Sequence, residues 1–166
     1  MRRNASSIII ALVVVGLVAW VAVPNVLTAR NRSLQKRTMA DMRSIASAWE
    51  ARATDTNSYS VKPGAAPCKW GCNLERGRVT LEELRAALVP TYIKALPPLD
   101  GWGNRWVFRI ADVNATGAAQ TYIIRSSGSD GSLDAGIDDY ANERIVAFDQ
   151  DIVFVNGTFT QFPEGT

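Results

Sequence analysis

Acidic side chains crowd the C-terminal part of the chain, where residues 127–166 contain eight carboxylates and one basic residue, Arg144. Calcium takes six to eight hard oxygens from carboxylates, hydroxyls and backbone carbonyls on flexible loops, and this segment supplies that chemistry. The spacing is not that of an EF-hand. The alternative is an acidic surface that is solvated or that meets a basic partner surface. The eight residues are Asp130, Asp134, Asp138, Asp139, Glu143, Asp149, Asp151 and Glu164.

Two cysteines, Cys68 and Cys72, are the only ones in the chain, and there is no histidine. A structural zinc site needs about four nitrogen or sulfur ligands, so none is expected. Histidine-dependent nucleophilic catalysis is excluded, and although carboxylate-only catalysis fits the residue types, we expect no enzymatic activity. A redox motif would have two residues between the cysteines, not three. We expect a small disulfide-closed loop in an oxidising compartment, with two free thiols as the alternative.

An uncharged apolar run occupies residues 8–23 (IIIALVVVGLVAWVAV) and ends at Pro24. Sixteen helical residues cover about 24 Å, and extension through Ala29 would reach the roughly 30 Å of a bilayer core. We therefore predict a membrane-spanning helix, with a cleaved secretory signal as the alternative. Apolar spacing of three and four continues beyond the run, which predicts one helix over about residues 5–54. The face is formed by Leu34, Thr38, Met42, Ile45, Trp49 and Ala53.

Charge is distributed unequally along the chain. Residues 1–78 carry 12 basic and 4 acidic side chains, a net +8, whereas residues 79–166 carry 6 and 12, a net −6. The basic part shows no nucleic-acid-binding signature, so we expect no nucleic acid partner. Flanking arginines leave the membrane orientation ambiguous. We expect a membrane anchor over residues 1–30 and a globular head over residues 31–166 outside the cytoplasm.

The sequence pattern of the head predicts helices followed by strands, so we expect the α+β class. Thr80 and Glu83 form a capping-box pattern that opens a short helix through about Val89, before Pro90. Asn156-Gly157 separates two apolar-rich segments and predicts a β-hairpin. We expect an antiparallel sheet of about four strands over residues 105–111, 120–125, 151–155 and 158–162, packed on the second half of the long helix.

These elements together resemble type IV pilin-like proteins, and most closely the major pseudopilin of type II secretion systems. The matching stretches cover most of the chain outside about residues 60–78. They are the apolar helix ending in Val23-Pro24-Asn25, residues 41–46 with Glu50 and 57–59, Leu96-Pro97 through Asp100-Gly-Trp-Gly-Asn104, residues 122–131, and the closing hairpin.

The resemblance implies a filament subunit whose N-terminal helix sits in the inner membrane before assembly and then packs with like helices in the filament core. Ala11, Gly16 and Ala19 would allow close helix approach, and Pro24 would mark the family's helix. The implied partners are further copies of the chain and a secretion or pilus assembly platform. The filament would be extracellular.

The resemblance also implies a calcium ion that ties a loop to the head. The matching ligands are Ser127 through its carbonyl, Asp130, Ser132, Asp149 and Asp151. Two family features are missing. Alignment on Pro24 places the usual leader cleavage, which precedes a phenylalanine, before Arg3, and it places the usual glutamate at Ser7. The alternative is therefore a monomeric, membrane-anchored minor or accessory pilin-like protein.

Overall fold

The computed structural model describes residues 2–61, 77–111, 119–134 and 143–163, except for the side chains of residues 2–9, 17–19, 21 and 143. The chain divides into two compact units, Met1–Leu34 and Gln35–Thr166. The predicted division into residues 1–30 and 31–166 stays a prediction.

Helix α1 spans Arg2–Thr56 and contains Pro24 in its interior. In the second unit, the face of α1 that the apolar spacing predicted is buried, except that Ala53 at its end is half-buried. Met42, Ile45 and Trp49 are fully enclosed, and Thr38, which precedes them, is also buried. Side chains three and four positions apart lie on one side of a helix, so this spacing brings Met42, Ile45 and Trp49 into the same hydrophobic core.

The membrane-spanning part of the predicted fold is wrong, although the α+β class is compatible with the structure. Among the described residues, no helix offers a stretch long and apolar enough to cross a bilayer. Sixteen apolar residues fall short of the roughly 30 Å core. The residues that the prediction used to lengthen the span include the polar Asn25 and Thr28, and Arg30 follows directly.

Six strands and a second helix follow α1 in the described part of the second unit. They are β1 (Arg78–Val79), α2 (Leu81–Leu88), β2 (Val107–Ala111), β3 (Thr121–Ser126), β4 (Glu143–Ile145), β5 (Ile152–Val155) and β6 (Thr158–Pro163). The sheet order is β1-β2-β3-β5-β6-β4, and every pair is antiparallel except the parallel β4–β6 pair. The prediction of about four antiparallel strands missed β1 and β4. Strands of two and three residues are too short to show a two-residue period.

The predicted hairpin turn and the predicted helix cap are both present in the structure. Asn156 and Gly157 have φ values of 45° and 85°, the left-handed pair that a two-residue hairpin turn requires. The Thr80 side chain accepts from the Glu83 backbone N–H, and the Glu83 carboxylate accepts from the Thr80 N–H. The capping box therefore starts α2 where it was predicted.

Aromatic side chains fill the space between α1 and the sheet. The rings of Trp49 and Tyr122 lie 5.2 Å apart, and those of Tyr59 and Tyr122 lie 4.8 Å apart. Phe108 meets Trp49 edge-on at 6.2 Å. Phe154 of β5 adds a ring 6.5 Å from that of Tyr122. This core packs β2, β3 and β5 against α1, so the loops at the ends of these strands have a rigid support.

Candidate functional site

The two loop segments that carry the predicted calcium ligands meet beside the end of β3 and the start of β5, two inner strands of the sheet. Because Ser126 at the end of β3 pairs with Ile152 at the start of β5, the segment after β3 and the segment before β5 lie side by side. The Ser129 N–H donates to the Phe148 carbonyl at 2.8 Å. We call residues 127–134 and 148–151 the loop junction.

Glycine is required where the two segments of the loop junction touch. Gly128 has a φ of +65°, and a Cβ there would lie 2.7 Å from the carbonyl oxygens of both Asp149 and Gln150. The backbones therefore approach more closely than any side chain permits.

A buried ion pair lies at the base of the loop junction. The Arg125 Nε donates to the Asp151 Oδ2 at 2.5 Å, and the two side chains are 3% and 0% exposed. Burial raises the pKa of the Asp151 carboxyl, and the Arg125 guanidinium opposes that shift. A carboxylate removed from water in this way requires a partner of opposite charge.

Asp134 joins this pair through its backbone and its side chain. Its carbonyl accepts from the Arg125 Nη2 at 2.8 Å, and its N–H donates to the Asp151 Oδ2 at 3.2 Å. In return, the Asp151 N–H donates to the Asp134 Oδ2 at 3.1 Å. The Asp151 Oδ1 is buried and has no hydrogen-bond partner among the described residues. The ion pair thus connects β3, the loop that follows it and the start of β5.

A second set of hydrogen bonds attaches the loop junction to the segment before β2. Asp100 accepts from the Ser126 hydroxyl at 2.6 Å through one oxygen and from the backbone N–H groups of Trp102 and Asn104 through the other. The Asn104 side chain then donates to the Gly128 carbonyl at 2.7 Å. Sequence reasoning did not assign Asp100 or Asn104 to the site, although the Asp-Gly-Trp-Gly-Asn stretch was the available signal.

The five predicted calcium ligands are neighbours in the backbone, but their side chains do not gather. Asp130, Ser132 and Asp149 are exposed, whereas Ser127 is buried and Asp151 is paired with Arg125. The Asp130 carboxylate accepts locally from the Ser132 N–H at 3.0 Å. Within the described ranges, no three acidic side chains are placed to hold a metal ion. As placed in the described residues, these side chains do not form a donor set for the ion that the resemblance implies. That calcium binds here stays a prediction.

The remaining predicted residues divide between described and undescribed parts of the chain. Cys68 and Cys72 lie outside the described residues, so their pairing stays a prediction. Ala11, Gly16 and Pro24 lie in α1 and are exposed. A Cβ added at Gly16 would meet nothing within 4 Å. The side chain of Ala19 lies outside the description.

Sequence reasoning also missed a cleft of about 610 Å³ beside α1. The Asp41 Oδ2 lies 3.7 Å from the Arg37 Nε. Both this oxygen and the Trp102 Nε1 are buried, and neither has a hydrogen-bond partner in the described part of the chain. Burial raises the pKa of Asp41, and Arg37 partly offsets the rise. The Thr38 hydroxyl accepts from the Gly101 N–H at 2.9 Å, which fixes the opposite wall to α1. Most of that wall is apolar and consists of residues 95–103.

Comparison with protein-family models, curated proteins and solved structures found no match in any of the three.

Proposed function

We propose that this protein is a structural subunit of a filament of the type IV pilin-like class, polymerising through the N-terminal part of α1. The observation that carries the proposal is the apolar surface of residues 10–27. Large side chains there are between 52% and 82% exposed. They are Ile10, Leu12, Val13, Val14, Val15, Trp20, Val23, Val26 and Leu27.

The exposed residues surround the helix rather than forming one stripe. Residues 12–15 are consecutive and therefore point in directions about 100° apart. A helix that is apolar on all sides is stable only when it is enclosed. Other copies of the same helix offer an identical apolar surface, and the small Ala11 and Gly16 leave room for close approach.

The energy available is sufficient for assembly. Full burial of one large apolar side chain contributes roughly 1.5–3 kcal/mol, so nine that are now half to four-fifths exposed would contribute on the order of 10–20 kcal/mol per subunit. Association itself costs an estimated 4–15 kcal/mol. The balance favours a polymer with many helix contacts per subunit. The proposed partners are further copies of the chain and a secretion or pilus assembly platform, and the proposed location is an extracellular filament.

The single experiment compares filaments sheared from cells that express the chain with its assembly machinery. Val14→Asp and Gly16→Arg should abolish filaments because each places a charge without a partner among apolar helices. The matched control is Ser44→Asp, a charge at an exposed position of α1 in the second unit. Filaments of undiminished length in both N-terminal variants would refute the proposal.

One observation favours a second candidate, an accessory pilin-like protein that acts as a monomer. Ser7 stands where the resembling families carry a glutamate that joins subunits. This candidate predicts that wild-type cells yield no filament containing the chain, and that the purified protein sediments as a monomer over a wide concentration range.

A further inference from the structure

The loop junction holds two neighbouring carboxylates, and their repulsion must be offset for the fold to be stable. Asp151 is fully buried, and the Asp134 carboxylate, which accepts from the Asp151 N–H, adds a second negative charge beside it. Two carboxylates close together in a poorly solvated site repel each other unless a cation offsets them. In metal-binding loops a divalent ion does this.

Among the described residues, the cation that pairs with Asp151 is a side chain of β3, Arg125. The guanidinium of Arg125 is 3% exposed and directs two nitrogens at the loop junction, one at the Asp151 carboxylate and one at the Asp134 carbonyl. A planar guanidinium is always charged and presents several donors at fixed angles. It can therefore neutralise Asp151 and hold the backbone of Asp134 at the same time.

We propose that Arg125 is a built-in cation that closes the loop junction, so that this chain does not need calcium to hold residues 127–134 and 148–151 together. The guanidinium links the three segments that an ion would link: the end of β3, the loop after it and the start of β5. The side chains of Asp130 and Asp149 are exposed and do not turn toward the buried pair, which supports this assignment. The inference holds whether or not the chain polymerises.

The first test uses the wild-type, full-length protein and needs no variant. Its melting temperature should be the same in a chelator and in millimolar calcium, because an ion that does not bind the folded state cannot stabilise it. A melting temperature that falls in chelator and recovers with calcium would overturn the inference.

The second test measures the coupling between Arg125 and Asp151 by urea unfolding. Arg125→Gln leaves a buried carboxylate without its cation, and the unfolding equilibrium constant should rise on the order of 10²–10³-fold. Adding Asp151→Asn should recover much of that loss, since no buried charge is then left alone. The double variant also keeps the test decisive if Arg125→Gln alone fails to fold.

The matched control is Arg85→Gln, which breaks the ion pair with Glu82 at 3.0 Å on the surface. Both of these side chains are well exposed, so the change in the unfolding constant should be small. If Arg125→Gln behaves like this control, or if Asp151→Asn recovers nothing in the Arg125→Gln background, Arg125 does not act as the cation of the loop junction.

Discussion

The hydroxyl of Tyr122 joins α1 to the β5–β6 hairpin, and its removal should destabilise the second unit without disturbing the packing. Tyr122 is fully buried and donates to the Glu50 Oε1 at 2.5 Å, while it accepts from the Gly157 N–H at 3.0 Å. Burial raises the pKa of Tyr122 above its ordinary value, and the hydrogen bond to Glu50 raises it further, so the hydroxyl is protonated at neutral pH. Tyr122→Phe removes both hydrogen bonds.

The expected cost follows from the two partners. A hydrogen bond to a charged group contributes about 1.5–3 kcal/mol and a neutral one about 1 kcal/mol. Glu50 is only half-buried, so water can replace part of the lost interaction. A loss of about 2–3 kcal/mol in the free energy of unfolding remains. The ring contacts with Trp49 and Tyr59 are kept, because phenylalanine fills the same volume.

Urea unfolding followed by tryptophan fluorescence measures this loss. With a slope of about 1–3 kcal/mol per molar urea, the midpoint should fall by roughly 1 M or more, and the slope should not change. Tyr92→Phe is the matched control, because the Tyr92 hydroxyl also donates to a carboxylate, Asp55, at 2.8 Å but on the exposed surface. Equal midpoints for the two variants would refute the reasoning that burial makes the Tyr122 hydrogen bonds valuable.

Two further substitutions test the cleft and the loop junction. Burial raises the pKa of Asp41, so the folded protein holds the carboxyl proton more tightly than the unfolded chain does. The free energy of unfolding therefore falls as the pH rises through the pKa of Asp41 in the folded state. Asp41→Asn should therefore raise the melting temperature at pH 7 but not below the ordinary pKa of 3.8, and a pH-independent difference would contradict this. Gly128→Ala should cost more than about 2 kcal/mol, because its Cβ meets the carbonyls of Asp149 and Gln150 as well as requiring a left-handed conformation. Gly103→Ala is its control, because φ is +94° there but a Cβ would meet nothing within 4 Å. Thermal unfolding of this variant should show only the cost of the left-handed conformation, about 1 kcal/mol.

Parts of the fold that depend on nearby residues could be predicted from the sequence. The buried face of α1 with Met42 and Trp49, the capping box at Thr80 and the hairpin at Asn156-Gly157 are all described where they were expected. The membrane-spanning helix was a wrong prediction. It depended on extending a run of sixteen apolar residues into a segment that contains the polar Asn25 and Thr28.

The site was less predictable than the fold. The sequence indicated that the segments around Asp130 and Asp149 belong together, and the pairing of β3 with β5 brings them side by side. It did not indicate the role of Arg125, which stood in the sequence only as the last residue of a predicted strand. A side chain in a strand points to one of two faces, and the surroundings of each face depend on the whole sheet.

Sequence by itself determined the features whose partners lie within a few positions: the turn, the cap, the helical face and the apolar character of residues 8–23. These follow from backbone sterics and helical geometry, which act locally. Among the described residues, only the tertiary structure decided which acidic side chains are buried and paired. Arg125 and Asp151 are 26 positions apart, and Tyr122 and Glu50 are 72 apart. Such pairs form because the sheet and α1 bury them together, where an unpaired charge or hydroxyl would be costly.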